Sequence, residues 1–381
     1  METEAATERG ARTRALYEQL LAPVARQVDG KLADEAHNLP AELREMYDYA
    51  VGGGMRFRPC LMYLAYLACS AGTSGEGERD GGDGRGSCAG IDNLIQLASA
   101  MELLHKASLV HDDLVDGDML RRGRPSFHAV FGTERAVVLG DLLVAMAHDV
   151  VERMRSVLPS AMHAQVHFRF ARAHIGLCRG ELLELARAPA GRPLTRDYVD
   201  RVIDGKTASL MEQSMAMGAV IAGAPRAHVD ALARYGRCMG FVFQTVNDIN
   251  NLTGFDRGVK GRAMTDLVLG RVGYPVLGLE IAGDADQIGL LAAGIDRIEC
   301  SDDGLRLHKL FQEGCLGVWL EGIIREYADQ ARWALQALPE CGARDALDSI
   351  GREMFESWFW SPESSIDCLG GGCSEECSPI D

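Results

Sequence analysis

Residues 101–128 read MELLHKASLVHDDLVDGDMLRRGRPSFH, a run in which charged side chains interrupt an apolar helical pattern. Asp112 and Asp116 are four residues apart, and His105 lies seven residues before Asp112, so a helix places all three on one stripe. Like charges at this spacing destabilise an isolated helix, but flanking apolar pairs indicate that this helix is largely buried. Buried carboxylates need a cation or a metal ion beside them.

Three arginines follow the acidic residues at once: Arg121, Arg122 and Arg124, set off by Gly123 and Pro125. Carboxylates bind hard divalent cations, and guanidinium groups grip phosphate oxygens. The combination suits a diphosphate substrate bound with magnesium. The competing interpretation, a solvated acidic face, does not account for the apolar residues on both sides.

The helical pattern, with apolar residues three and four apart, continues through most of the chain, whereas alternating strand patterns and Asn-Gly hairpins are scarce. It predicts long helices over residues 11–36 (with a break or kink at Pro23), 94–109, 135–158, 196–222, 228–251 and 316–338. We therefore predict an all-α bundle.

Composition excludes several classes of protein. The 381 residues are 47% hydrophobic and 25% charged, as in ordinary globular proteins. The formal net charge of −16 argues against a nucleic-acid binder, which needs a basic surface. We expect no membrane-spanning segment, because no apolar run approaches the ~20 residues that a bilayer requires. The first residues lack the apolar core of a secretory signal, so we expect a cytoplasmic protein.

Two segments depart from the helical pattern. Residues 70–90 are Gly-rich and charged and predict a flexible loop, and residues 362–381 predict a disordered tail that contains cysteines. We expect residues 1–361 to form a single domain. The chain has 11 cysteines, an odd number. Those in apolar runs are predicted to be small buried side chains in a reducing compartment: Cys60, Cys69, Cys178, Cys238 and Cys315.

Four motifs carry a resemblance to a known family. The string HDDLVDGDMLRRGRPSFH resembles the first aspartate-rich motif of the trans-isoprenyl diphosphate synthases, the polyprenyl synthetase family. Residues 53–59, GGMRFRP, look like the family's GGKRxRP, and Gly205-Lys206-Thr207 looks like its lysine–threonine motif. Residues 243–251, FQTVNDINN, look like its FQxxDDxxD. Order and spacing agree over roughly residues 15–350.

The resemblance implies the all-α isoprenoid synthase bundle around a central cavity, usually as a homodimer. It implies that an allylic prenyl diphosphate ionises, with Asp112, Asp116, Lys206 and Gln244 as catalytic residues, and that isopentenyl diphosphate attacks it. Three magnesium ions per active site would be bound by Asp112, Asp113, Asp116, Asn247, Asp248 and Asn251. The allylic diphosphate would be held by Arg121, Lys206, Thr207, Gln244 and Arg271, and that of isopentenyl diphosphate by Arg58, His105 and Arg122.

The sequence departs from the family pattern at two motifs. Met55 stands where the family has lysine, and a thioether cannot bind a diphosphate. The neighbouring Arg56 could compensate in part. Asn247 and Asn251 replace acidic residues of the second motif. An amide still offers a carbonyl oxygen to magnesium but no charge, so the affinity for magnesium should fall.

These departures leave three functions open. The first is chain elongation, for which the small Ala107 and Ser108 before the first motif imply a deep cavity and a product of C20 or longer, unless they only allow close helix packing. The second is a terpene cyclase, which needs no isopentenyl diphosphate, and whose second motif also begins Asn-Asp. The third is a catalytically weak partner subunit of an active synthase.

Overall fold

The computed structural model describes residues 21–70, 85–187, 194–253, 271–282 and 315–356. The helices and the one hairpin within these ranges are α1 (Ala22–His37), α2 (Ala41–Val51), α3 (Phe57–Ser70), α4 (Arg85–Asp116), β1 (Leu120–Arg121), β2 (Arg124–Pro125), α5 (Phe127–Phe131), α6 (Thr133–Arg153), α7 (Ser160–Leu185), α8 (Arg196–Ile203), α9 (Ser209–Ile221), α10 (Arg226–Thr253), α11 (Tyr274–Ala282), α12 (Cys315–Leu335) and α13 (Gly342–Glu356).

Helix α9 lies at the centre of the bundle. It packs against α3, α4, α7 and α10, and every residue from Ser209 to Ile221 except Glu212 is buried. A helix that is apolar on all sides has no face for solvent and is stable only when other helices surround it. The run of methionines, alanines and valines in α9 therefore accounts for its central place.

The predicted all-α architecture is confirmed, and each predicted helical range overlaps helix where the structure describes it. Two predicted ranges are too long at their ends, because α6 ends at Arg153 and α12 at Leu335. Helix α1 begins at Ala22, and Pro23 lies in its first turn, where a missing N–H removes no helical bond. Helix α4 begins at Arg85, and residues 85–90 of the predicted loop are therefore helical. The remainder of that loop, 71–84, and the tail 362–381 lie outside the described residues.

The cysteine prediction was wrong at one position. Cys60, Cys69 and Cys238 are buried as expected, but Cys178 is exposed. It lies three residues after Ile175 and four before Leu182 on α7, and both of these are exposed as well. The three side chains share the outer face of the helix, so an apolar neighbourhood in the sequence did not mean burial here. The side chain of Cys315 lies outside the described residues.

A short hairpin interrupts the helices directly after the acidic end of α4. Arg121 pairs with Arg124 across it, and the two central residues, Arg122 and Gly123, have φ of 53° and 71°. Positive φ at both positions is the type I′ turn that suits the twist of a two-residue hairpin. It places a non-glycine residue in the left-handed region, at a cost of about 1–2 kcal/mol. The turn projects the arginines back toward the acidic helix.

No helix within the described ranges is long and apolar enough to cross a membrane.

Candidate active site

The C-terminal turns of α4 carry the first acidic group. The side chain of Asp113 is almost fully buried and accepts a hydrogen bond of 2.5 Å from Arg121 Nε, while Arg121 Nη2 lies 3.4 Å from Asp112 Oδ2. Burial raises the pKa of Asp113 to about 6, although Arg121 opposes that shift. Asp113 therefore turns toward the hairpin, and Asp112 and Asp116 form the open acidic face.

Helix α7 contributes two further carboxylates, Glu181 and Glu184. Gly180 of α7 touches Gly205: a Cβ on Gly180 would lie 2.1 Å from the backbone nitrogen of Lys206. Such an approach is open only to glycine. The segment Asp204–Ala208 between α8 and α9 is a single π-helical turn, a feature that recurs at functional sites. The contact and the wide turn together bring Lys206 against α7.

The ammonium of Lys206 lies among three carboxylates. Its Nζ is 2.6 Å from Glu184 Oε2, 2.9 Å from Glu181 Oε2 and 3.1 Å from Asp112 Oδ1. Burial alone would lower the pKa of Lys206, but the three carboxylates hold it above its usual value. Burial acts to raise the pKa of Asp112, and Lys206 and Arg121 outweigh it, so that carboxyl stays ionised. The ammonium of Lys206 thus supplies positive charge to the acidic face.

The segment before α11 closes the site from another side. Arg271 forms an ion pair with Asp116, and the backbone N–H of Val272 donates to Glu184 Oε1 at 3.1 Å. A Cβ on the next residue, Gly273, would lie 2.6 Å from Asp248 Oδ2, so this segment touches both aspartate-rich motifs.

The second motif is joined to the lysine–threonine motif through Thr207. Its Oγ1 donates to Gln244 Oε1 at 2.5 Å, and Gln244 Nε2 donates to Asp248 Oδ1 at 2.7 Å. Asn247 is half-buried and Asn251 is buried on the same helix, α10. The structure therefore brings together the lysine–threonine motif, Gln244 and Asp248 as the sequence predicts.

Three carboxylates could hold a metal ion: Asp112, Asp116 and Glu181, whose ligand atoms all lie within 4.8 Å of one another. Glu181 Oε1 is buried and has no hydrogen-bond partner, while its other oxygen bonds Lys206. Burial raises the pKa of Glu181, although Lys206 opposes that shift. Three carboxylates, one with a spare buried oxygen, fit a hard divalent cation. Asp113 and Asp248 are not members of this group.

Two helical turns earlier on α4 the charge changes sign. Arg58 Nη1 lies 2.9 Å from His105 Nε2, and a Cβ on Gly54 would lie 2.7 Å from Arg122 Nη1. Burial and the neighbouring cations lower the pKa of His105 well below its usual value, so the ring is neutral at pH 7. Burial also lowers the pKa of Arg58 to about 10. These three predicted residues therefore form a cationic pocket, together with Lys106.

Arg56 does not take the place of the missing lysine. Its guanidinium is buried and bonds Asp29 Oδ1 at 2.7 Å and Glu102 Oε1 at 2.8 Å. These two carboxylates hold the guanidinium of Arg56 inside the fold, so the expectation that Arg56 could compensate for Met55 was wrong. Its φ of 53° points the side chain inward while Met55 remains 61% exposed.

Sequence reasoning missed Glu181, Glu184 and Lys106. The two glutamates lie three residues apart in the run Gly-Glu-Leu-Leu-Glu of an otherwise apolar helical stretch, and that pattern is a signal like the one at Asp112. Lys106 follows His105 directly in the buried part of α4. A lysine among buried positions was itself a signal, because this residue is rarely buried without a function or a partner.

Comparison with known proteins places this geometry in a family. The polyprenyl synthetase family model matches residues 40–299. A chloroplastic geranylgeranyl pyrophosphate synthase of Capsicum annuum is 32% identical over 249 residues, 64% of this chain and 62% of the relative, so the chain spans less than two thirds of that relative's length.

Two solved structures extend the likeness over most of the chain. The geranylgeranyl pyrophosphate synthetase of Pyrococcus horikoshii superposes with a TM-score of 0.74 at 26% identity, over 89% of this chain and 99% of that one. The polyprenyl synthase of Caulobacter crescentus, solved with calcium and isoprenyl diphosphate, gives 0.71 at 26% identity over 91% and 97%. With its all-α fold and four motifs in order, the chain belongs to the polyprenyl synthetase family.

Proposed function

We propose that the protein is a magnesium-dependent prenyltransferase that condenses an allylic prenyl diphosphate with isopentenyl diphosphate to give a longer prenyl diphosphate. The observation that carries the proposal is the change of charge along α4. A carboxylate group at Asp112 and Asp116 lies about 10 Å, seven residues of helix rise, from a cationic pocket around His105. Two diphosphates, one bound through metal and one through cations, fit this arrangement.

Ionisation of the allylic substrate breaks a carbon–oxygen bond and leaves negative charge on the departing diphosphate. Lys206, Arg121 and Arg271 surround the position where that charge would grow, and each now pairs with a carboxylate of the site. Preorganised cations of this kind are commonly the largest contribution to catalysis. We infer that these three side chains exchange their carboxylate partners for diphosphate oxygens when substrate binds.

The carboxylates Asp112, Asp116 and Glu181 would hold magnesium, with Asp113, Asn247, Asp248 and Asn251 as the further ligands that the motifs predict for a three-ion site. Bound magnesium would neutralise the leaving diphosphate as a Lewis acid. Support comes from the Caulobacter relative, whose structure contains calcium and isoprenyl diphosphate. Gln244 and Thr207 would orient the diphosphate, since their hydrogen-bonded pair lies between the two motifs.

The second substrate would place its diphosphate in the pocket of Arg58, His105 and Arg122. Its double bond would then attack the allylic cation, forming a carbon–carbon bond, and a proton would leave to restore a neutral chain. The surrounding bundle is apolar, which protects a carbocation from water.

Product length would depend on the side chains one turn before Asp112. Ala107 is fully buried in the helix packing, whereas Ser108 is half-buried, with its hydroxyl bonded to the carbonyl of His105 at 2.7 Å. A small side chain at Ser108 leaves room beneath the acidic group, so we propose a product of C20 or longer. Ala107 is fully buried and supports the alternative for that position, in which a small side chain only allows close packing of helices.

We also propose a homodimer, formed through the outer face of α7. Phe168, Ile175 and Leu182 recur every seven residues on that face and are 65%, 47% and 65% exposed. Exposed apolar side chains at this spacing are typical of a surface that another chain covers. Light scattering would give the mass of a dimer, and Phe168→Asp with Leu182→Asp should shift it to that of a monomer. A monomeric parent protein would contradict the assignment.

The cytoplasmic location stays a prediction.

A product assay tests the proposed function. Purified protein with magnesium receives geranyl, farnesyl or geranylgeranyl diphosphate, each with and without isopentenyl diphosphate. Longer diphosphates that form only with isopentenyl diphosphate, and disappear when a chelator is added, are the expected result. Hydrocarbons or alcohols formed without it would establish a cyclase instead. Inactivity alone, with activity gained from a co-purified synthase, would establish a partner subunit.

A further inference from the structure

Lys106 is an unusual lysine. It extends from α4 beneath the loop that connects α2 to α3, is only 3% exposed, and donates to the carbonyl oxygens of Gly52 at 3.0 Å and Gly53 at 2.8 Å. An ammonium has three N–H donors, and these two carbonyls take two of them. Burying such a charge costs free energy unless something of opposite charge meets it.

The charges around Lys106 do not balance. Glu102 and Asp29 are the nearby carboxylates, and both bond Arg56. Within the described ranges no ion pair joins a carboxylate to Lys106, Arg58 or Arg122. Among the described residues the pocket therefore holds more cations than carboxylates, and a bound anion would reduce this imbalance.

Gly54 marks the point where an anion would fit. Its φ is 97°, and a Cβ there would lie 2.7 Å from Arg122 Nη1 and 3.6 Å from Lys106 Nζ. Two cations thus approach one small space that only a glycine leaves open. Charge-assisted hydrogen bonds to phosphate oxygens have lengths of about 2.7–2.9 Å. Because the arginine and the lysine both lie beside Gly54 on the same side, the oxygens of one phosphate group could reach both cations.

We propose that Lys106 supplies, from inside the fold, the cation that is absent at Met55: it binds the diphosphate of the second substrate together with Arg122, over Gly54. This inference rests on the proposed prenyltransferase function. It explains how the chain could keep a second-substrate site although the exposed Met55 stands in the loop between α2 and α3 where the family has lysine. Arg56 cannot serve there, because it already bonds Glu102 and Asp29. By bonding Gly52 and Gly53, Lys106 also holds the loop in place.

The test is a set of four proteins: the parent, Lys106→Met, Lys106→Met with Met55→Lys, and the control Lys31→Met, whose lysine pairs with Asp92 outside the site. Loss of one charge-assisted bond should raise the Michaelis constant for isopentenyl diphosphate roughly 10- to 100-fold in Lys106→Met. The constant for the allylic substrate should stay within about twofold. The double variant should regain a few-fold of the loss, because its exposed lysine restores a cation that water screens and does not restore the bonds to the loop.

Two results would overturn the inference while leaving the proposed function intact: unchanged Michaelis constants in Lys106→Met, or a loss that the double variant does not reduce at all. If the parent protein elongates no substrate, calorimetry with inorganic pyrophosphate in the absence of metal still decides the question. The parent should bind it more tightly than Lys106→Met by the same factor. Equal affinities would exclude Lys106 from the anion site.

A pH profile provides an independent readout. Burial lowers the pKa of Lys106 to about 8, Arg56 and Arg122 lower it further, and Glu102 and Asp29 partly offset them. The ammonium is charged below pH 8 and loses its proton above it. For the parent, kcat/KM for isopentenyl diphosphate should therefore fall as the pH rises through about 8, because this ratio reports the free enzyme. In Lys106→Met that fall should be absent, and its persistence would contradict the assignment.

Discussion

The two charged regions on α4 differ in how the protein balances them. At the acidic face each carboxylate already has a cation: Lys206 meets Asp112 and Glu181, and Arg271 meets Asp116. In the cationic pocket, two turns earlier, Arg58 and Lys106 have a neutral histidine and two backbone carbonyls as partners. The carboxylates of the first region lie beside cations without a ligand, although Lys206 is shared among three of them. The cations of the second region have no carboxylate paired with them within the described ranges, apart from Arg56.

This difference indicates how each diphosphate would bind. A metal-bound diphosphate entering the acidic face must displace Lys206 and Arg271 from their carboxylates, and the freed cations then turn to the phosphates. An anion entering the cationic pocket displaces nothing and gains its full electrostatic attraction. In the proposed function the acidic face would therefore exchange partners on binding, whereas the cationic pocket is charged before the diphosphate arrives.

Removal of a carboxylate from the acidic face should have the largest effect. Asp112→Ala or Asp116→Ala should lower kcat/KM by at least about 100-fold, because metal and leaving group lose a charged ligand. The measurement is turnover with saturating magnesium, with circular dichroism to confirm that the fold is kept. Asp141→Ala serves as the control, since that aspartate is exposed on α6. Turnover equal to that of the parent in either variant would contradict the metal assignment.

Neutralising Glu181 should have a smaller effect than removing Asp112 or Asp116. The effect should appear as a weaker affinity for magnesium. Glu181→Gln keeps the size of the side chain and removes the charge, so the magnesium concentration for half-maximal activity should rise about tenfold. Titration calorimetry with magnesium and inorganic pyrophosphate provides a readout without turnover. Glu152→Gln, at an exposed pair with Arg155, is the matched control. An unchanged magnesium requirement would show that Glu181 only anchors Lys206.

Adding a lysine at the surface of the cationic pocket should have the smallest effect. Met55→Lys should lower the Michaelis constant for isopentenyl diphosphate only a few-fold, because position 55 is exposed and water screens the new charge. Steady-state kinetics at low and high salt measures it, and the gain should shrink as salt rises. A change of more than about 100-fold would mean that the pocket is inactive without this lysine.

Patterns within a single helix made much of this site predictable. The spacing of Asp112 and Asp116, and that of Gln244 and Asp248, is visible in the sequence, and the structure keeps each pair on one helix. Contacts between helices were not visible. Glu181 meets Asp112 because Gly180 lets α7 approach Gly205, and nothing in either stretch alone identifies the other.

Local conformation was the second limit. The left-handed φ of Arg56 and of Arg122 decides where these arginines point. A sequence of arginines between glycines does not state which of them face inward. Arg56 was thus assigned to the wrong task, whereas Arg122, in the hairpin, reaches the predicted pocket.

The π-helical turn at Asp204–Ala208 has a consequence for insertions and deletions. It contains one residue more than an α-helical turn would, so α8 and α9 are out of phase by about 100°. A deletion of one residue here would restore regular helix and rotate everything on one side of it. Either Lys206 would leave the carboxylates or the buried surface of α9 would turn away from its neighbours. The chain should therefore tolerate substitution of the half-buried Asp204 better than the loss of any single residue from this turn.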